Sequence, residues 1–167
     1  VNRTNIFIEE RNYAYFMQLY AKHIAPVADT FAYCLLRNHF HLLVRIRTHQ
    51  TDAVSETASV LVETASVLEA ASVSKAFNNF FVAYAKAINK AYGRTGALFQ
   101  HHFGRIPVTS DRYFATLARY IHHNPRKHGF VSNFRDWPYS SYHALAQTDA
   151  APETDAAPET DAVSKTA

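Results

Sequence analysis

Thr30-Phe31-Ala32-Tyr33-Cys34-Leu35-Leu36-Arg37-Asn38-His39-Phe40-His41-Leu42-Leu43-Val44-Arg45-Ile46-Arg47 decides how this chain folds. Two apolar runs, Thr30–Leu36 and His39–Arg47, flank the polar pair Arg37-Asn38, a pattern that predicts a β-hairpin. Residues two apart on a strand share a face. Phe40, Leu42, Val44 and Ile46 therefore form an apolar side. His39, His41, Leu43, Arg45 and Arg47 form a cationic, histidine-rich one. Side-by-side imidazoles on a rigid strand suit a divalent metal. Such a metal polarises a phosphate oxygen, which directs attention to a nucleophile elsewhere. The plainer reading of His39 and His41 is a half-exposed strand face.

Outward from the hairpin, Tyr13, Phe16, Met17, Tyr20 and Ile24 recur at spacings of three and four, predicting a helix from Glu9 to Ala25 that Pro26 ends. Phe77, Phe80, Phe81, Tyr84, Ile88 and Tyr92 predict another from Lys75 to Tyr92, with Ser74 as its cap and Gly93 at its end. Phe103–Thr109 reads as a further strand. Ser110 or Asp111 then caps a helix that runs to about Asn124, where Pro125 stops it. Leu117 and Ile121 point to the core. Tyr120 and Asn124, four residues apart, share a face. A phenol beside a metal can attack a phosphodiester, and an amide oxygen with two imidazoles suits Mg²⁺ or Mn²⁺. Tyr113, one heptad earlier, competes for the nucleophile's role. His122 and His123 read equally well as a solvated helix end, where a cation meets the dipole.

The length of 167 residues fits one domain with a substantial core. The one cysteine, Cys34, excludes an intrachain disulfide, points to a reducing compartment, and reads as a buried small hydrophobe. No apolar run approaches the ~20 residues of a membrane span, and no secretory signal is visible, so a cytoplasmic location is expected. The net charge of +3 conceals an asymmetry. Residues 49–74 repeat Glu-Thr-Ala-Ser-Val, residues 148–167 repeat Thr-Asp-Ala-Ala-Pro-Glu, and the two share the word Thr-Asp-Ala-Val-Ser. Together they hold nine of the 14 acidic residues and one of the 17 basic ones, so the other 121 residues carry +11 and nine histidines. The expected organisation is a domain over 1–147 interrupted by a low-complexity insert at 49–74, followed by a disordered acidic tail at 148–167. A core so cationic and so rich in Tyr and Phe favours a nucleic-acid partner.

Four ordered motifs carry a resemblance. They are Tyr33 to Val44; Asn89-Lys90-Ala91-Tyr92-Gly93-Arg94-Thr95-Gly96-Ala97-Leu98-Phe99-Gln100; Arg119-Tyr120-Ile121-His122-His123-Asn124-Pro125; and Asp136-Trp137-Pro138-Tyr139-Ser140-Ser141-Tyr142. In these the chain resembles the HUH-type single-tyrosine transposases, in particular the REP-associated branch of the insertion-sequence 200-like family. The resemblance covers about residues 1–48 and 75–147. It implies an α+β, ferredoxin-like antiparallel sheet with helices on one face, here lacking the family's first strand, as in a truncated copy. It implies that Tyr120 attacks a DNA phosphodiester to give a 5′-phosphotyrosine and a free 3′-OH, with His39 and His41 holding the metal; Asn124, placed by its helix face as a third metal ligand, matches the family's polar residue one turn beyond the nucleophile. The implied substrate is single-stranded DNA with hairpins, often repetitive palindromic elements, bound by a monomer or homodimer. Candidate phosphate contacts are Arg45, Arg47, Lys86, Lys90, Arg94, Arg105, Arg112 and Arg119. The rival readings are a truncated relative that binds DNA hairpins without cutting them, and a structural metal or interaction protein.

Overall fold

A computed structural model describes residues 5–47, 59–99 and 105–146, with the side chains of 59–69 and 145–146 left aside. The tail at 148–167, the first part of the insert at 49–58 and residues 103–104 of the expected third strand lie outside the described residues. The architecture is α+β. Helix α1 (Glu10–His23) leads into strands β1 (Ala28–Leu35) and β2 (Phe40–Ile46). Helices α2 (Ser59–Ala91) and α3 (Asp111–Lys127) follow, then a 3₁₀ turn (Phe134–Asp136) and a short helix α4 (Tyr142–Ala146).

The two strands pair antiparallel, as the hairpin pattern predicts, and Leu36 N–H donates to His39 C=O at 2.9 Å across the Arg37-Asn38 turn. The register shifts between Thr30 and Ala32, which leaves Phe31 as a bulge. One extra residue lets Phe31 and Ala32 both reach the same side of the sheet, where Phe31 meets Phe114 edge-on at 5.0 Å.

Each face of the sheet has its own core. Tyr33, Leu35, Phe40, Leu42 and Val44 pack with Phe7, Phe16 and Tyr20 of the α1 region and with Phe80, Tyr84 and Ile88 of α2. Aromatic rings dominate this layer, with Phe16 meeting Phe80 at 4.7 Å and Phe40 at 5.1 Å. On the opposite face Ala32, Cys34, Leu36 and Leu43 pack with Leu117 and Ile121 of α3 and with Trp137. Ile46, expected on the apolar side, is 37% exposed at the strand's end. Helices α1 and α2 thus cover one face, and α3 lies across the face that carries the histidines.

Three boundaries differ from the sequence reading. Helix α2 begins at Ser59, so Ser74 lies inside it and caps nothing. Residues 59–91 contain neither Gly nor Pro and hold eight alanines, so the repeat simply extends the helix. Residues 105–109 form no strand. Helix α3 passes through Pro125 and ends at Lys127. A proline this close to the C-terminus removes a single helical hydrogen bond. The true stop is Gly129, at φ 71°: its N–H donates to Arg126 C=O and that of Phe130 to Pro125 C=O, the paired bonds of a Schellman cap. The other expected caps are present. Ser110 Oγ accepts from Tyr113 N–H, and Gly93 takes φ 60° after α2.

Candidate active site

Helix α3 is held on the sheet by the segment from Asp136 to Tyr142. Leu35 N–H donates to Tyr139 C=O and Ser141 N–H to Tyr33 C=O, so this segment covers the outer edge of β1. The buried Trp137 indole N–H donates to Leu35 C=O at 3.0 Å. Ser141 Oγ lies 2.8 Å from His122 Nε2 and accepts from Tyr33 N–H at 2.9 Å. A single hydroxyl therefore ties α3 to β1. His122 is only 9% exposed, and His123 stacks on Phe134 at 3.9 Å. Neither forms the solvated helix end that the sequence allowed.

This arrangement sets one face of α3 against His39 and His41. Their rings stand edge to face with centroids 5.1 Å apart. The Tyr120 ring meets His41 at 5.8 Å, while His128 meets His39 at 5.1 Å. Tyr120, Asn124 and His128 recur every four residues, so Asn124 lies on α3 between the two points that touch the histidine pair. Tyr120 is 41% exposed, with its ring open to solvent, whereas Asn124 is fully buried. Its Nδ2 donates to Tyr120 C=O at 2.8 Å. Tyr113 makes no ring contact with either histidine among the described residues, so Tyr120 is the phenol placed at the pair.

The electrostatics favour neutral imidazoles. Burial pushes His41 down to about 4, and the nearby His39, His128 and Lys127 add to the effect. Burial, then His128, also lowers His39. A neutral imidazole offers a lone pair, the form a metal binds. His39 Nδ1 is engaged with Asn38 Oδ1 at 2.8 Å, which leaves Nε2 as its free nitrogen. Two buried atoms on this boundary, His41 Nε2 and Asn124 Oδ1, have no hydrogen-bond partner. Buried polar atoms seldom stay unpaired without cause. Among the described residues no three His, Cys, Asp or Glu side chains converge to hold an ion, but two imidazoles and an amide oxygen fall outside that description. The donors present fit a divalent cation. Cys34, by contrast, is buried, and burial lifts its thiol to about 12, as an inert core residue requires.

The expected phosphate contacts separate. Arg112 and Arg119 are exposed on α3, and Arg119 adjoins Tyr120. Burial, and then the charges of Arg119, Arg126 and Arg135, lower His123 one turn along the helix from the phenol. Arg45 and Arg47 share the carboxylate of Asp29 at 2.9 and 2.8 Å, and those hydrogen bonds hold Asp29 below the usual carboxylate range. Lys86 and Lys90 are exposed on α2, across the sheet from the histidines. Arg94 reaches Asn5 C=O at 3.4 Å, and Arg105 is exposed on the segment before α3. Sequence reasoning missed His128, Arg126 and Lys127. Spacings of seven and eight from Tyr120 and of seven from Arg119 were the signal that could have found them.

Comparisons with known proteins bear on the fold and on the family resemblance. No protein-family model matches the chain. A curated protein of Haemophilus influenzae named "Putative REP-associated tyrosine transposase" is 28% identical over 124 residues, covering 74% of this chain and 64% of that protein. The chain therefore spans less than two thirds of that relative's length. A solved structure of a REP-associated tyrosine transposase bound to a REP hairpin superposes with a TM-score of 0.54 at 18% identity, covering 98% of this chain and 87% of that one. The resemblance read from the four motifs is thus found again in a sequence relative and in the fold.

Proposed function

We propose that this chain cleaves and rejoins single-stranded, hairpin-bearing DNA, with Tyr120 as the nucleophile. The observation that carries this reading is the meeting of an exposed phenol with a pair of neutral imidazoles, Tyr120 and His41 standing 5.8 Å apart. The names of the similar proteins, REP-associated tyrosine transposases, one of them bound to a REP hairpin, support a hairpin-DNA substrate.

His39, His41 and Asn124 would hold Mg²⁺ or Mn²⁺, which when bound supplies Lewis-acid polarisation of a phosphate oxygen. The chain's own residues do the rest. The Tyr120 Oη–H bond breaks, its proton passes to solvent, and the oxygen forms a bond to phosphorus. The bond from phosphorus to the 3′-oxygen breaks, and that oxygen takes a proton. The products are a 5′-phosphotyrosine and a free 3′-OH, so the bond energy is retained for rejoining. Arg112, Arg119 and Arg126, exposed on the helix of the phenol, would hold the backbone phosphates.

The test is to incubate the chain with labelled hairpin-bearing single-stranded DNA and Mn²⁺ and to run a denaturing gel. A slow-migrating covalent band that disappears in Tyr120→Phe supports strand cleavage. Binding with no such band assigns the chain to hairpin binding alone. Absence of binding at low salt removes the nucleic-acid reading altogether.

A further inference from the structure

We propose that Lys127 is a further catalytic residue of this site, whose ammonium contacts the scissile phosphate and offsets the charge that gathers as Tyr120 attacks. The inference rests on the reading of Tyr120 as a nucleophile and names a group that the four motifs do not contain.

Three observations support it. The Lys127 Nζ lies 4.9 Å from the centroid of the Tyr120 ring. Residues seven apart on a helix return to the same face, so the lysine follows the phenol two turns on. The ring that it covers meets His41 at 5.8 Å, so the ammonium lies at the histidine end of the site. The side chain is exposed, and no carboxylate pairs with it among the described residues. A cation over an exposed aromatic face is held only weakly, by about 0.5–1 kcal/mol. The ammonium is thus free to leave the ring for a phosphate oxygen. It would do so at the point where the phenol, the histidine pair and the attacked phosphorus must meet.

The chemistry explains why a charge is useful there. In the attack the phenol gives its proton to solvent, the Oη–P bond forms, and the P–O3′ bond breaks. Negative charge spreads over the non-bridging oxygens and the two apical ones. A cation that meets that charge stabilises the transition state more than the bound ground state. His39, His41 and Asn124 are neutral donors, so Lys127 is a positive side chain directly at the phenol.

Two measurements on the full chain test this. In single-turnover cleavage of the labelled hairpin with Mn²⁺, Lys127→Met should slow adduct formation about 100-fold. Its thermal melting should match the wild type, and Lys127→Arg should recover most of the rate. In the Tyr120→Phe background, which cannot cleave, a hairpin with a neutral methylphosphonate at the scissile position should bind more weakly than the natural one. Lys127→Met should erase that difference. A Lys127→Met chain that cleaves at the wild-type rate overturns the proposal while leaving Tyr120 as the nucleophile. So does a difference in affinity that survives the substitution. A wild-type chain that forms no adduct overturns both readings.

Discussion

The Tyr120 ring stands edge-on to His41 with centroids 5.8 Å apart, although one lies on a helix and the other on a strand of a separate motif. The sheet face, the bulge at Phe31 and the Ser141 tie all contribute to that meeting. The histidines' alternation aims them at α3, and the latch on β1 holds α3 in place.

Replacing His39 should separate catalysis from binding. His39→Ala is expected to abolish DNA cleavage and Mn²⁺ binding while changing hairpin affinity by less than about fivefold, because the proposed phosphate contacts are the cationic side chains and not the imidazoles. Calorimetric titration with Mn²⁺ and a filter-binding assay with the hairpin measure the two arms. Equal losses in both would contradict a mainly catalytic role for the imidazole.

Acid should loosen the metal-free chain in a defined window. His41 sits at about 4 in the folded chain, against about 6.5 when unfolded. The folded state therefore binds fewer protons than the unfolded one between those values. Its stabilising effect is complete above pH ~6.5 and is lost as pH falls toward 4. Burial lowers His39, His122 and His123 in the same direction. Thermal melting in EDTA should show stability declining across this range, and His41→Gln should flatten part of the slope. Identical slopes for the two chains would refute the assignment.

Ser141→Ala tests the latch. It strands His122 Nε2 and Tyr33 N–H, both now satisfied by one hydroxyl. A loss of about 1–3 kcal/mol in urea unfolding is expected, the cost of buried polar groups left unpaired. A change below about 0.5 kcal/mol would mean that α3 is held by apolar packing alone.

Much of this site was legible because its signals are local. Strand alternation placed His39 and His41 together, and helical spacing placed Tyr120 beside Asn124 on one face. Apolar periodicity marked Phe80, Tyr84 and Ile88 as core, all of which are buried. What escaped depends on competition between signals. Pro125 reads as a stop, yet so near the helix end it costs one hydrogen bond, and Gly129 with its positive φ sets the boundary. Ser74 reads as a cap only if the repeat before it is not helical. The roles of Trp137 and Ser141 could not be read at all, since a residue that fastens a strand edge from far along the chain leaves no periodicity behind.

The most direct measurement is mass spectrometry of the covalent product. After reaction with hairpin-bearing single-stranded DNA and Mn²⁺, the adduct is digested with nuclease and protease and the nucleotide-bearing peptide sequenced. The prediction is a 5′-linked nucleotide on Tyr120. A nucleotide on Tyr113 or any other residue, or DNA cut without a protein link, would contradict it.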